Sequence, residues 1–190
     1  MQENTPQVLK TTPYLELKET VSPHGKPWYY AKRPNTIAGA ICILPIIMNK
    51  AGAEIVFLET RRPAIYAEGI SDFCIELPAG LVGDIDKNET FEMAAKKELL
   101  EETGYMADEI KLVLNNVASS TGLTSEVFSV AIAKITNKTV YREMLSSDGG
   151  VIYKRHIIPF KDVKKWLKEQ SREGKIIAAQ VYVGLSQLPS

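Results

Sequence analysis

The stretch "AAKKELLEETGY" at 94–105 constrains the chain most, because it joins a well-formed helix to a charge arrangement that an isolated helix would avoid. Thr90 suits an N-cap and Gly104 suits the residue just past a helix end, so the pattern predicts a helix between them. At about 100° per residue, Phe91, Ala94, Ala95, Glu98, Glu101 and Glu102 share one face, with Lys96 and Lys97 turned aside. The small apolar stripe that must pack therefore runs straight into three carboxylates. Two of them about 5 Å apart, at an effective dielectric near 20, repel by roughly 3 kcal/mol, and the negative end of the helix dipole adds to the cost. A solvated surface face would offset this; so would a bound hard cation with oxygen ligands, which suits carboxylates that continue a packed stripe.

The 190 residues suffice for one domain with a sizeable core and a small appended element. With 45% hydrophobic and 24% charged residues and a formal net charge of +0, the composition is that of a soluble globular protein. The basic pairs Lys32-Arg33, Arg61-Arg62 and Lys164-Lys165 are short and offset by acids, which disfavours a nucleic-acid partner. Cys42 and Cys74 each sit in an apolar, strand-like run and read as buried structural thiols. The start "MQENTPQVLK" has no signal pattern and no apolar run reaches membrane-span length, so a cytoplasmic protein without a membrane partner is expected.

Residues 12–33 alternate apolar and polar around "SPHG" and predict a hairpin, giving a small sheet element at 1–34 and a main domain at 35–190. In the main domain "TIAGAICILPIIM", "AEIVFLETRRP" and "DFCIELPAG" predict three strands before the helix, and "KLVLNNVASS", "EVFSVAIAKI" and "VIYKRHIIPF" three after it. The end predicts two helices, "KDVKKWLKEQSREG" stopping at Gly174, and "KIIAAQVYVGLSQL". Mixed strands and helices with antiparallel-looking strand neighbours make the class α+β or α/β, with helices packed on a mixed sheet.

Read back from the glutamates, the chain gives Gly83, five residues, Glu89, seven residues, then Lys97-Glu98-Leu99-Leu100-Glu101-Glu102-Thr103-Gly104-Tyr105. This resembles the Nudix box, Gly, five residues, Glu, seven residues, Arg-Glu-apolar-any-Glu-Glu-any-Gly-apolar, and the resemblance implies the Nudix fold, an α+β sandwich with a mixed sheet between helices. "IELPAG" before the box, "LETRRP", the loop "SSTGLTSE" and the tail "EGKIIAAQVYVGL" are similar to the ADP-ribose pyrophosphatase-like subgroup. Three departures stand out. Lys97 replaces the box arginine and loses its planar fork; Gly80 of "PAG" is separated from Glu89 by eight residues, so "VGDIDKN" reads as an enlarged loop; and Thr121 stands where proline is common.

The resemblance implies hydrolysis of the pyrophosphate bond in ADP-ribose or a related nucleoside diphosphate sugar, with Mg²⁺ (or Mn²⁺) held by Glu98, Glu102, the backbone carbonyl of Ala79 and Glu101. Glu76 is a further site acid and Arg62 a phosphate or ribose contact; either also fits an ordinary strand-end charge. Trp28, Tyr29 and Tyr30 suit stacking on a nucleobase, or core and dimer packing. For the general base, "REMLSSDGG" offers Asp148, with Glu143 and Glu126 as rivals; His24 and His156 receive no catalytic role. By the same similarity the N-terminal sheet helps form a homodimer. Other substrates (GDP-mannose, a dinucleoside polyphosphate, a flavin nucleotide) and a non-catalytic nucleotide sensor are the alternatives.

Overall fold

The computed structural model describes residues 5–34, 39–84, 86–141, 143 and 151–188. Strands β1 (Gln7–Thr11), β2 (Glu16–Val21) and β3 (Pro27–Lys32) form a small antiparallel sheet in that order. The predicted hairpin is its second half; β1, "QVLKT", is exposed throughout and carries no alternation that would announce a strand. Ala31 of β3 ties this sheet to the loop "SSTGLTSE", donating its amide to Leu123 O at 2.8 Å and accepting from the Ser125 amide at 3.1 Å.

The main sheet is built from β4 (Ala40–Asn49), β5 (Gly52–Arg61), β6 (Cys74–Glu76), β7 (Ala79–Leu81), β8 (Glu109–Ala118), β9 (Val127–Ile135), β10 (Val151–Pro159) and β11 (Ile176–Ile177). Its helices are the five-residue α1 (Pro63–Ala67), α2 (Phe91–Thr103), α3 (Val163–Arg172) and α4 (Ala179–Leu185). The strands run β11-β6-β5-β4-β9-β8, with β10 also on β5 and β7 also on β4. Alternation decides the layers. Ile41, Ile43 and Ile47 of β4 and Val56 of β5 pack with Ala94, Ala95, Leu99 and Tyr105 on the α2 side. Cys42, Leu44, Ile55, Phe57 and Ile75 pack with Val163 and Leu167 of α3 and Val181 of α4 on the other. The result is the expected α+β sandwich.

One irregularity positions the site. β4 and β5 pair only from Ile46↔Ile55 to Asn49↔Gly52, then part. Into the gap come β6, on Leu58–Thr60 of β5, and β7, on Ala40–Cys42 of β4. "DFCIELPAG" is thus two three-residue strands and not the single one expected, because Pro78 has no amide to continue a ladder; its carbonyl instead accepts from Ile43 N at 2.8 Å and closes the fork. The final segment also differs from expectation. Ile176 and Ile177, β-branched and beside an open sheet edge, pair parallel with Cys74 and Ile75, and the helix starts only at Ala179.

On the α3 side Glu59 of β5 accepts from Lys175 Nζ at 3.0 Å and lies 2.8 Å from His156 Nε2 of β10, whose ring lies 5.0 Å from that of Trp166. Burial pushes the His156 imidazole below its ordinary value, the Glu59 charge offsetting only part of this. Burial favours a neutral Glu59, yet the hydrogen bonds from His156 and Lys175 prevail and hold its carboxyl below the usual range. For both groups the unfolded chain binds protons more readily, so the stability they contribute is present above the unfolded pKa and falls with pH. Urea denaturation is expected to show a drop from pH 7.5 to 5.5 that is smaller in His156→Gln; an equal drop in the variant would refute the role of this cluster.

Candidate functional site

Helix α2 forms as the sequence predicts. Thr90 caps it, its hydroxyl accepting the Met93 amide at 3.2 Å, and Gly104 ends it in the left-handed conformation at φ 74°. The helix lies across β4 and β7 because Ala94 and Ala95, both fully buried, allow a close approach. Its last turn thereby meets the mouth of the fork, where Gly80 pairs with Ile41 and faces the helix. A Cβ on Gly80 would stand 2.2 Å from Glu98 Cδ, so only glycine leaves room for that carboxylate.

Glu98 and Glu102 are each 5% exposed, one turn apart on the same face. Glu102 Oε2 accepts the Ala79 amide at 2.9 Å, and Lys97 Nζ lies 3.3 Å from Glu98 Oε1. Burial works against the Lys97 ammonium, but Glu98, with Glu89 and Glu101 beyond, holds its pKa above the ordinary value. Lys97 therefore keeps the box arginine's charge without its fork. Glu101 is half-buried on the same turn. Glu89 accepts the Gly83 amide at 3.0 Å, and Gly83 adopts φ 74°, so the enlarged loop is pinned by the box's own Glu.

Glu76 and Arg62 come together on the same face. Arg62 Nε donates to both Glu76 oxygens, at 2.8 and 3.0 Å, its Nη2 lies 2.8 Å from Oε2, and Thr60 Oγ1 donates at 2.9 Å. Both Glu76 and Glu102 bear on Cys42, whose thiol is pushed up to about 12, first by burial and then by these two charges. The thiol is inert. Cys74 is likewise free and buried.

The other expected residues are dispersed. Trp28 and Tyr29 lie exposed on β3 of the small sheet. Glu126 is paired with Arg33, Glu143 is exposed, and Asp148 lies outside the described residues. Among the described residues no group of three or more His, Cys, Asp or Glu side chains is assembled as a metal-holding cluster. The fit to a divalent cation rests instead on two buried carboxylates side by side over a glycine, which suits Mg²⁺, an ion that takes one or two carboxylates and fills its shell with phosphate oxygens and waters.

One contributor escaped the sequence reading. Arg155 of β10 donates to the Thr103 carbonyl at the end of α2, and its guanidinium carbon sits 4.4 Å from the Tyr105 ring centroid. Only the strand pairing puts it there, since nothing in "VIYKRHIIPF" marks this arginine over its neighbours.

No protein-family model matches the chain. It is 28% identical over 135 residues to the ADP-ribose pyrophosphatase of Escherichia coli (strain K12), covering 71% of this chain and 61% of that protein. It is 35% identical over 99 residues to an uncharacterised Nudix hydrolase of Schizosaccharomyces pombe, covering 50% and 42%, and 24% identical over 147 residues to the GDP-mannose pyrophosphatase of Yersinia pestis, covering 76% and 71%. The chain thus spans about three fifths of the length of its E. coli relative. A solved structure described as an ADP compounds hydrolase has the same fold, with TM-score 0.55 and 19% identity over 90% of this chain and 99% of the other. The fold and the box define the class, an α+β protein of the Nudix fold. Within that class the chain resembles the ADP-ribose pyrophosphatase-like Nudix hydrolases.

Gly80→Ala is expected to leave the helix in place but displace Glu98, weakening Mn²⁺ binding in titration calorimetry by about tenfold or more; unchanged binding would mean Glu98 is not a ligand.

Proposed function

We propose that the protein hydrolyses the pyrophosphate bond of ADP-ribose or a related nucleoside diphosphate sugar, releasing AMP, or another nucleoside monophosphate, and a sugar phosphate. The observation that carries this reading is the burial of Glu98 and Glu102 together against Gly80 at the mouth of the fork. Glu98 and Glu102 would hold Mg²⁺, or Mn²⁺, with the Ala79 carbonyl and Glu101 as further ligands. When bound, the cation neutralises the diphosphate and makes a water nucleophilic near neutral pH. Arg62 grips a phosphate oxygen, with Glu76 and Thr60 fixing the plane of its guanidinium beforehand. Trp28 or Tyr29, adjacent on β3 and so on opposite faces of the small sheet, is the aromatic candidate for stacking on the base.

GDP-mannose is the second reading, favoured by the Yersinia relative. Association as a homodimer through residues 1–34, as an element distinct from 35–190, is supported by Leu17, Val21, Trp28 and Tyr29 exposed on one small sheet. Sedimentation at twice the chain mass would bear that out, and a monomer at micromolar concentration would refute it. Free thiols suit a cytoplasmic site of action.

Chromatography of ADP-ribose incubated with protein and Mg²⁺ is expected to yield AMP, and Glu102→Gln to lower the rate on the order of 100-fold. No AMP in any metal would refute the substrate. Arg62→Ala is expected to raise KM about tenfold with a smaller change in kcat; the reverse pattern would move Arg62 from substrate binding to the chemistry.

A further inference from the structure

The last turn of α2 carries the carboxylate pair yet has no basic residue of its own to meet the negative end of the helix dipole. Its carbonyls are satisfied from several directions. Leu100 O accepts the Gly104 amide at 2.9 Å, Leu99 O accepts the Thr103 hydroxyl, and Gly104 O accepts the Tyr141 amide at 2.9 Å. Thr103 O, one residue past Glu102, takes its donor from Arg155 on a different element altogether. The same guanidinium lies over the ring of Tyr105, which is 3% exposed and packed in the α2-side core. Two residues on, Ile157 of β10 packs against that core too, so Arg155 faces the helix side of its strand.

This juxtaposition gives Arg155 three physical effects at once. It supplies a fixed cation at the helix end, it satisfies a carbonyl that would otherwise depend on water, and, through the stack on Tyr105, it sets the azimuth and height of the last turn relative to β10. Because β10 is paired along β5 from Glu54 to Arg61, that position is referenced to the strand that ends immediately before Arg62. We propose that Arg155 is a positioning residue for the Glu98/Glu102 pair: clamping the C-terminal turn of α2 to β10 holds the two carboxylates in register with Gly80 and with the Arg62–Glu76 pair. The proposal deepens the hydrolase reading and rests on its assignment of Glu98 and Glu102 as cation ligands. Lys97 cannot substitute, since it acts on Glu98 from the helix itself and leaves the helix free to shift as a body.

The test measures Mn²⁺ binding to the substrate-free protein by electron paramagnetic resonance, with thermal midpoint and AMP formation followed in parallel. Arg155→Gln is expected to weaken Mn²⁺ binding about tenfold and to lower kcat with KM for ADP-ribose little changed. Arg155→Lys, which keeps the charge but loses the planar stack, should fall between wild type and Arg155→Gln with an unaltered midpoint. A lowered midpoint with wild-type Mn²⁺ affinity would make Arg155 merely structural and overturn the proposal. Tighter Mn²⁺ binding in Arg155→Gln would overturn it as well, since the arginine would then act only as a competing charge. If Arg155→Gln does not fold, Arg155→Lys decides: weaker Mn²⁺ binding supports the clamp, and wild-type binding overturns it. The substrate reading fails separately: no AMP from wild type, alongside Mn²⁺ binding weakened by both Glu102→Gln and Arg155→Gln, would remove ADP-ribose and leave the positioning role standing.

Discussion

The contact on which the rest of the structure depends is that between the Glu98 carboxylate and the backbone of Gly80. A charged side chain 5% exposed under a helix is costly unless neighbouring groups compensate it. Here the compensation requires that α2 lie almost on the sheet, which in turn requires the two buried alanines, a glycine opposite, and a fork that lets β7 rise to meet the helix. Each of these is a small residue or a broken ladder, features that a fold optimised only for burial would fill. Their coincidence on one helical turn is what supports the proposal that a cation and a diphosphate sit against the crowded carboxylates.

Electrostatically the site is built in two tiers. The inner tier is acidic, with Glu98 and Glu102 held by the Ala79 amide and by Lys97. Around it stand cations placed by other elements, Arg62 between β5 and α1 through its contact with both Glu76 oxygens, and Arg155 of β10 at the helix end. Charge-assisted contacts of this kind are about twice as strong as neutral ones, and they fix direction as well as distance. The departure at Lys97 is consistent with this division of labour. A point charge suffices beside Glu98 if the orientation of the helix is enforced from β10.

Much of this was legible in the residues, and the limits have physical causes. Helix α2 was predictable end to end because Thr90 and Gly104 are local signals that act over three or four residues. The alternation of β4 and β5 likewise announced buried strands. What escaped was non-local. The parting of β4 from β5 depends on where Pro78 falls relative to a partner strand; β11 depends on an edge left open by β6; and the place of Arg155 at the end of α2 depends on a pairing with Leu58 nearly a hundred residues earlier in the chain. The resemblance offers Glu76 and Arg62 as site candidates, but that each is the other's partner follows only from the register of β6 on β5.

The central claim is that Glu98 and Glu102 together hold a divalent cation against a diphosphate. A crystal structure with Mn²⁺ and a non-hydrolysable ADP-ribose analogue, phased for anomalous scattering, tests it most directly. The prediction is an anomalous peak bonded to both carboxylates and to a phosphate oxygen of the analogue, with Arg62, still paired with Glu76, in contact with the diphosphate. A well-ordered analogue with no metal between Glu98 and Glu102, or a peak elsewhere on the chain, would contradict it.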